Sequence, residues 1–377
     1  MEHRVSLPGC NMLSFFVQKA ITPTQKGDTQ MHYIGVDCHI STLEFAVVNE
    51  RGTITQKAKV NTGVKEFMTF VKNVPKPRKI FIEEGELACW LLETSLNFGE
   101  QLIVTDPKIN KWIGKAGQKD DAIDAEKLAQ LARGKYIKEI YHPVSHRRKF
   151  KDLVFAYHDT VKSQTRIKNK IKAKFRSNGI KCNGNTVYSD KYRNQWREKL
   201  SENKITHLIV EELWVQLDQL LSSKEKFKKN MRIQSKQYPE IKKFMKIPGI
   251  GLIHAATISA IMETPHRFAN KKKVWMYAGI GLMERSSGGT IYSRKLTREY
   301  NRPLKNAIKK STEAAISSKD NQFRRQHLKL TIEKGIPSHK AKLTVARSML
   351  AALYGMWKKG EEYDPNIDKK RKKGIKK

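Results

Sequence analysis

Between Tyr33 and Ala132, short apolar runs alternate with stretches of helical periodicity, and this alternation limits the fold more tightly than any other feature. Tyr33-Ile34-Gly35-Val36-Asp37 is an apolar strand that runs into an acid. Leu43 to Val48 is a second strand, and Glu50-Arg51-Gly52-Thr53 turns the chain into a third, Ile54 to Val60. Val64 to Val71 has helical spacing. Lys79 to Ile82 reads as a short buried strand ending in Glu83-Glu84-Gly85. Leu87 to Leu96 is helical, Leu102 to Val104 a strand, and Ala122 to Ala132 a helix. Strands in a meander, followed by strand–helix alternation, predict an α/β sandwich around a mixed sheet.

The pattern changes downstream. Leu153, Val161, Ile167, Ile171 and Phe175 mark an apolar stripe in the charged stretch 149–177, and Leu213, Leu217, Leu220, Leu221, Phe227 and Met231 mark a second. These two predict the arms of an antiparallel helical hairpin or coiled coil, joined by a link rich in turn formers. A third unit opens with Ile247-Pro248-Gly249-Ile250-Gly251 before an Ala-rich helix, and closes with a helix from about His339 to Trp357. The expected fold class is thus α/β plus α. Its segments are an unassigned arm (1–30), an α/β domain (31–148), helical arms (149–240), a mainly helical C-terminal domain (241–360) and a basic tail (361–377).

Charge divides along the same lines. The 377 residues carry 74 Lys plus Arg against 37 Asp plus Glu, a net +37. Self-repulsion on this scale opposes compaction and excludes an ordinary metabolic enzyme; a polyanion, most commonly nucleic acid, offsets it. Residues 31–134 are neutral, whereas 135–240 carry +14 and 241–377 carry +22. From Lys162 to Lys181 there are eight Lys or Arg and no acid. Lys162, Arg166, Lys168, Lys170, Lys172, Lys174 and Arg176 therefore predict a phosphate-tracking helix face. A hydrophobic fraction of 39% excludes wholesale disorder. The four cysteines lie far apart without CxxC, against a zinc ribbon or a disulfide scaffold and in keeping with a reducing cytoplasm. No apolar run approaches the ~18 residues of a spanning helix, so the expectation is a soluble, cytoplasmic protein without a membrane partner.

Two constellations bear chemistry. Asp37 and either Glu83 or Glu84 end strands, while Asp121 and Asp124 stand i, i+3 on one helix face. Clustered carboxylates repel unless cations lie between them, so convergence of this set implies a hard divalent metal, Mg²⁺ or Mn²⁺, with oxygen ligands. Taken singly, each acid reads equally well as a turn or cap residue. The second constellation runs from Ile247 to Gly289. Gly249 and Gly251 lie in a segment similar to the hairpin of helix-hairpin-helix modules, whose backbone amides meet phosphates. Glu284-Arg285-Ser286-Ser287-Gly288-Gly289 reads as a flexible Ser/Gly turn whose hydroxyl can reach a phosphodiester. Arg285, Arg294, Lys295 and Arg302 are the nearby cations assigned to nucleic acid. The eleven His show no metal-binding spacing and read as surface or packing residues.

Together these residues resemble a known family. Tyr33 to Asp37 followed by a hairpin, Ile82-Glu83-Glu84-Gly85, and Lys119-Asp120-Asp121-Ala122-Ile123-Asp124-Ala125 match the DEDD pattern of insertion-sequence transposases related to the Piv DNA invertase. Ile247 to Gly251, Arg267-Phe268, Tyr277-Ala278-Gly279-Ile280, Ser286-Ser287-Gly288-Gly289 and Asn301-Arg302 follow in that family's order. The resemblance spans Met31 to Trp357. It implies a ribonuclease-H-like, resolvase-like N-terminal domain in which Asp37, Glu83, Asp121 and Asp124 hold Mg²⁺, with Glu84 the alternative to Glu83. It implies a serine nucleophile, Ser287 or less favourably Ser286, forming a transient 5′-phosphoserine with cleaved DNA. It also implies a structured bridge RNA that pairs with donor and target DNA, and a tetramer with composite active sites. The chain departs from the family in its doubled acid, its doubled serine, and Tyr300 where a Gly usually precedes Asn301-Arg302. Two other readings compete: a metal-dependent, junction-resolvase-like nuclease without covalent serine chemistry, and a nucleic-acid packaging protein whose acids only cap helices.

Overall fold

The apolar runs after Met31 assemble into one sheet. In the computed structural model, which describes residues 18–19, 30–108, 121–142, 146–200, 203–287 and 290–365, the chain divides into two units, Met1–Val144 and Ser145–Lys377. The first unit carries β1 (Gln18–Lys19), β2 (His32–Cys38), β3 (Thr42–Val48), β4 (Ile54–Asn61), β5 (Arg78–Glu83) and β6 (Leu102–Thr105) in the order β1-β4-β3-β2-β5-β6. The first four pair antiparallel, then β2–β5 and β5–β6 are parallel. Tight turns set the meander: the His39 amide donates to the Thr42 carbonyl at 2.9 Å, and the Thr53 amide to the Asn49 side chain at 2.9 Å. Parallel pairing needs crossovers, supplied by α1 (Val64–Asn73) and α2 (Ala88–Asn97). β1 lies in the segment that carries no sequence motif, and extends the sheet beyond β4.

Alternation along the strands sorts the two faces. Ile34, Val36, Phe45, Ile80 and Ile82 enter a core with Phe67 and Leu91 from α1 and α2. Phe81 faces the other way, against Leu128 and Ala132 of α3 (Asp121–Arg133), which packs across β2 and β3. Gly35 permits that packing: a β-carbon there would lie 2.1 Å from the Ala125 carbonyl oxygen and 2.7 Å from the Ala129 amide nitrogen. The helix backbone therefore rests directly on β2.

The second unit comprises α4 (His146–Ser177), α5 (Arg193–Glu198), α6 (Lys204–Gln234), α7 (Pro239–Phe244), α8 (Leu252–Met262), α9 (Lys271–Tyr277), the hairpin β7 (Leu282–Ser287) and β8 (Thr290–Leu296), α10 (Arg302–Ser317), α11 (Gln322–Leu328) and α12 (Ser338–Lys359). The two long helices run antiparallel. Phe150 and Val154, early in α4, share a core with Met231, late in α6. Ile171 and Phe175, late in α4, instead meet Val210, Leu213 and Leu217, early in α6. Both apolar stripes read from the sequence turn inward except at Leu221, which is exposed. The link between the helices is a folded cap. Val187 and Trp196 from it pack on Trp214, whose indole N–H donates to the Val187 carbonyl at 2.8 Å. Burying each of these large side chains stabilises the tip by about 2–3 kcal/mol.

Below the arms, α7, α8, α10 and α12 contribute Phe244, Ile258, Ile308 and Leu350 to one core. Gly249 has a positive φ of 84°, and a β-carbon there would lie 2.2 Å from the Ser311 carbonyl oxygen of α10. No described helix is long and apolar enough to cross a membrane.

Candidate functional site

The sheet topology itself brings two acids together. β2 and β5 are parallel neighbours with Val36 opposite Ile82, so Asp37 and Glu83 follow side by side at their C-terminal ends. That edge of an α/β sheet is where ligands commonly bind. Two-residue alternation puts Asp37 on the face of Gly35 and Glu83 on the face of Phe81, the face that α3 covers. Asp37, His39, Glu83, Glu84 and Leu87 line a cleft of about 280 Å³.

Imidazoles attend the acids. The Asp37 carboxylate lies 3.0 Å from His39 Nε2. Glu84 hydrogen-bonds His142 Nε2, and the Nδ1 of the same ring lies 3.4 Å from Cys89 Sγ. Burial, with the Asp37 charge adding, pushes the Cys38 thiol up to about 12. Cys38 is therefore a neutral thiol at physiological pH, not a nucleophile. Neither histidine stood out in the sequence. His39 had a signal, because i+2 on an extended chain returns to the face of Asp37. His142 had none, since 58 residues separate it from Glu84.

The other two acids lie on α3. Asp121 is its first residue, with a side chain outside the described residues; Asp124 is exposed, does not line the cleft, and pairs with Lys127 at 3.5 Å. Among the described residues, no three His, Cys, Asp or Glu side chains form a group that could hold a metal ion. The cleft lining includes the carboxylates of Asp37, Glu83 and Glu84, oxygen donors of the kind that suit a hard divalent cation, beside Cys38 and His39.

The sequence read as a Ser/Gly turn is the tip of a two-stranded hairpin. Ser286 pairs with Ile291 and Ser287 with Thr290 at the end of β7, after an irregularity between Arg285 and Ser286. Gly288-Gly289 and the side chains of Arg285, Ser286, Ser287 and Arg294 lie outside the described residues. The root of the hairpin is held firmly. Arg347 Nε donates to the Ile280 carbonyl at 2.6 Å, and the Trp275 indole donates to the Arg347 carbonyl at 3.0 Å. Burial lowers the Arg347 pKa. Tyr300 packs its ring against Gly279, with Lys305 Nζ 4.0 Å from the ring centroid. Asn301 then caps α10 by accepting from the Leu304 amide at 3.0 Å, leaving Arg302 exposed at the first helical position. Lys295 is exposed on β8.

The basic face of α4 is less uniform than its composition. Lys162 pairs with Asp159 at 2.8 Å, and Lys168 and Lys172 stand 5.1 and 5.2 Å from the centre of the Tyr188 ring. Arg166, Lys170 and Arg176 are exposed, and Lys174 is half-buried. Gly249 owes its identity to α10, and exposed Gly251 caps the start of α8.

Two family models match the chain, the first running past the unit boundary at Val144 to the end of α4. Residues 34–177 match a DEDD transposase family of the IS110 type, spanning Asp37, Glu83, Asp121 and Asp124. Residues 241–328 match the transposase IS116/IS110/IS902 family, spanning the hairpin and both serines. No curated protein matches the chain. A DEDD transposase domain implies a divalent metal and DNA substrates. The two matches fall in order, cover more than half of the residues and include both sites, and the chain belongs to the IS110/IS116/IS902 family of DEDD transposases, enzymes that recombine DNA.

Proposed function

We propose that this transposase moves an insertion sequence by cutting and rejoining DNA through a serine ester. Asp37, Glu83, Asp121 and Asp124 would hold Mg²⁺ or Mn²⁺, with Ser287 as nucleophile and Ser286 as the alternative hydroxyl. The observation that carries the metal-dependent part of the reading is the side-by-side placement of Asp37 and Glu83 at the ends of parallel strands; the serine step rests on the family resemblance of the hairpin segment. Glu83, level with Asp37 on the neighbouring parallel strand, is the ligand in this reading, with Glu84 as the alternative. The divalent ion, when bound, would neutralise charge developing on the phosphate oxygens. His39 would orient Asp37. Ser287 Oγ forms a bond to phosphorus as the bond to the 3′ oxygen breaks, and that oxygen leaves with a proton. The 3′-hydroxyl of another strand then attacks the ester, and Ser287 recovers its proton. The phosphodiester bond energy is conserved, so no nucleotide cofactor is needed.

The finer parts of the reading rest on resemblance and charge. A ribonuclease-H-like sheet accords with the strand order β4-β3-β2-β5-β6, antiparallel then parallel. A structured bridge RNA would select donor and target DNA by pairing, with Arg166, Lys170 and Arg176 on phosphates, in a tetrameric assembly. The DEDD match also favours a second reading, in which water attacks in place of serine and the enzyme is a metal-dependent nuclease. Both readings require Asp37. Asp37→Asn should lower divalent-metal-dependent strand cleavage of supercoiled DNA by at least ~100-fold. Wild-type cleavage by this variant would refute both.

A further inference from the structure

We propose that Ile40 is a wedge that enters the DNA base stack beside the scissile phosphate and kinks the duplex into the acid cleft. The inference rests on the reading of that cleft as the place where strands are cut. Ile40 lies in the turn that joins β2 to β3 and lines the cleft with Asp37 and Glu83. At 78% exposed, it is the most open large hydrophobic side chain among the described residues. A single apolar residue on an open surface needs no explanation. One held at the rim of an acidic cleft does, because neither water nor a phosphate backbone is a favourable partner for it, whereas the faces of DNA bases are.

The turn is built to hold this side chain out. The His39 amide closes it by donating to the Thr42 carbonyl at 2.9 Å. Thr62, just beyond β4, then clamps both carbonyls that flank Ile40. Its hydroxyl donates to the His39 carbonyl at 2.8 Å, and its amide to the Ser41 carbonyl at 3.0 Å. Branching at the β-carbon stiffens χ1 as well, so the backbone and the rotamer are both fixed. Electrostatics supply the task. The described wall of the cleft carries Asp37, Glu83, Glu84 and Glu86 and no Lys or Arg. A straight duplex presents its scissile phosphate flush with its neighbours, and those neighbours would meet the same carboxylates. An apolar side chain inserted between base pairs opens one step and kinks the duplex by roughly 20–90°, which turns one phosphate out of line. The approach is then held by contact with bases, which the acids do not oppose.

The test places 2-aminopurine, whose fluorescence rises on unstacking, at the step beside the cleavage position, which wild-type cutting with Mg²⁺ defines. Full-length Asp37→Asn protein with guide RNA then holds the DNA uncut. Binding should raise the fluorescence by roughly threefold or more at that step and leave a probe one helical turn away unchanged. Adding Ile40→Ala should remove most of the rise, and Ile40→Leu should keep most of it, with thermal melting of the free protein unchanged by either. With Asp37 intact, Ile40→Ala should slow strand cleavage by about tenfold, and a mismatch that opens the step in advance should restore most of the rate. Wild type that cuts while the probe stays dark, an Ile40→Ala variant that unstacks and cuts normally, or a defect that the mismatch does not relieve would each overturn the wedge and leave the acid cleft standing. A wild type that cuts nothing would instead overturn the reading of the cleft, and the wedge with it.

Discussion

Replacing Gly35 by alanine tests how the fold delivers its acids. The added β-carbon would lie 2.1 Å from the Ala125 carbonyl oxygen, where ordinary contacts begin near 3.4 Å, so α3 must move off β2 by more than 1 Å. The obstacle is helix backbone, which cannot rotate aside as a flexible side chain would. Overpacking of this kind costs about 3 kcal/mol, the upper part of the usual range, or roughly 10 °C in Tm for a unit of this size. Because α3 begins at Asp121 and carries Asp124, the same displacement should reduce metal-dependent cleavage. Differential scanning calorimetry of Gly35→Ala, followed by a cleavage assay below its Tm, measures both effects. A shift below 2 °C would refute the claim that β2 and α3 meet backbone to backbone.

Two further outcomes follow from the C-terminal unit. Glu263 is only 2% exposed, sits at a positive φ of 63°, and meets Lys151 of α4 at 2.9 Å. Lys151→Ala strands that buried carboxylate and should cost about 3–5 kcal/mol, read from urea unfolding, with Lys151→Ala/Glu263→Gln recovering part of the loss. His158 and His254, bonded to Thr257 and Ser311, are held below the ordinary imidazole pKa, chiefly by burial. Their neutral forms favour the fold, so this contribution is complete above the unfolded pKa of about 6.5 and is lost as pH falls through the lower folded values. Urea midpoints between pH 7.5 and 5 should fall, and His158→Gln/His254→Gln should flatten that slope.

Much of the first unit was legible because its signals are local. Each strand and helix read between Tyr33 and Ala132 appears within a residue or two, since two-residue alternation and 3.6-residue spacing register burial directly. Adjacency of Asp37 and Glu83 was implicit in two apolar strands that each run into an acid. What local pattern could not carry were contacts made across the chain, such as His142 on Glu84 and the cap at the tip of the arms, where Trp214 rather than a turn-rich link organises the structure. The strands on either side of the Ser/Gly turn, β7 and β8, carry a weaker signal. Ser286 to Gly289 look like a loop, although apolar residues flank them at Leu282-Met283 and Ile291-Tyr292, the pattern of two strands joined at Gly-Gly. Composition likewise does not show the local contacts on the α4 face, where Lys162 pairs with Asp159 and Lys168 and Lys172 lie beside the Tyr188 ring.

The central claim is that Ser287 becomes covalently joined to DNA. The direct measurement is denaturing electrophoresis of wild-type and Ser287→Ala protein after incubation with end-labelled donor and target DNA, guide RNA and Mg²⁺, followed by mass spectrometry of the tryptic adduct. The account predicts a labelled protein band in wild type that maps to Ser287 through a 5′-phosphate, is absent from Ser287→Ala, and is lost together with strand exchange. Strand exchange that survives Ser287→Ala with no adduct in either protein would contradict it, and would leave the metal-dependent nuclease reading in its place.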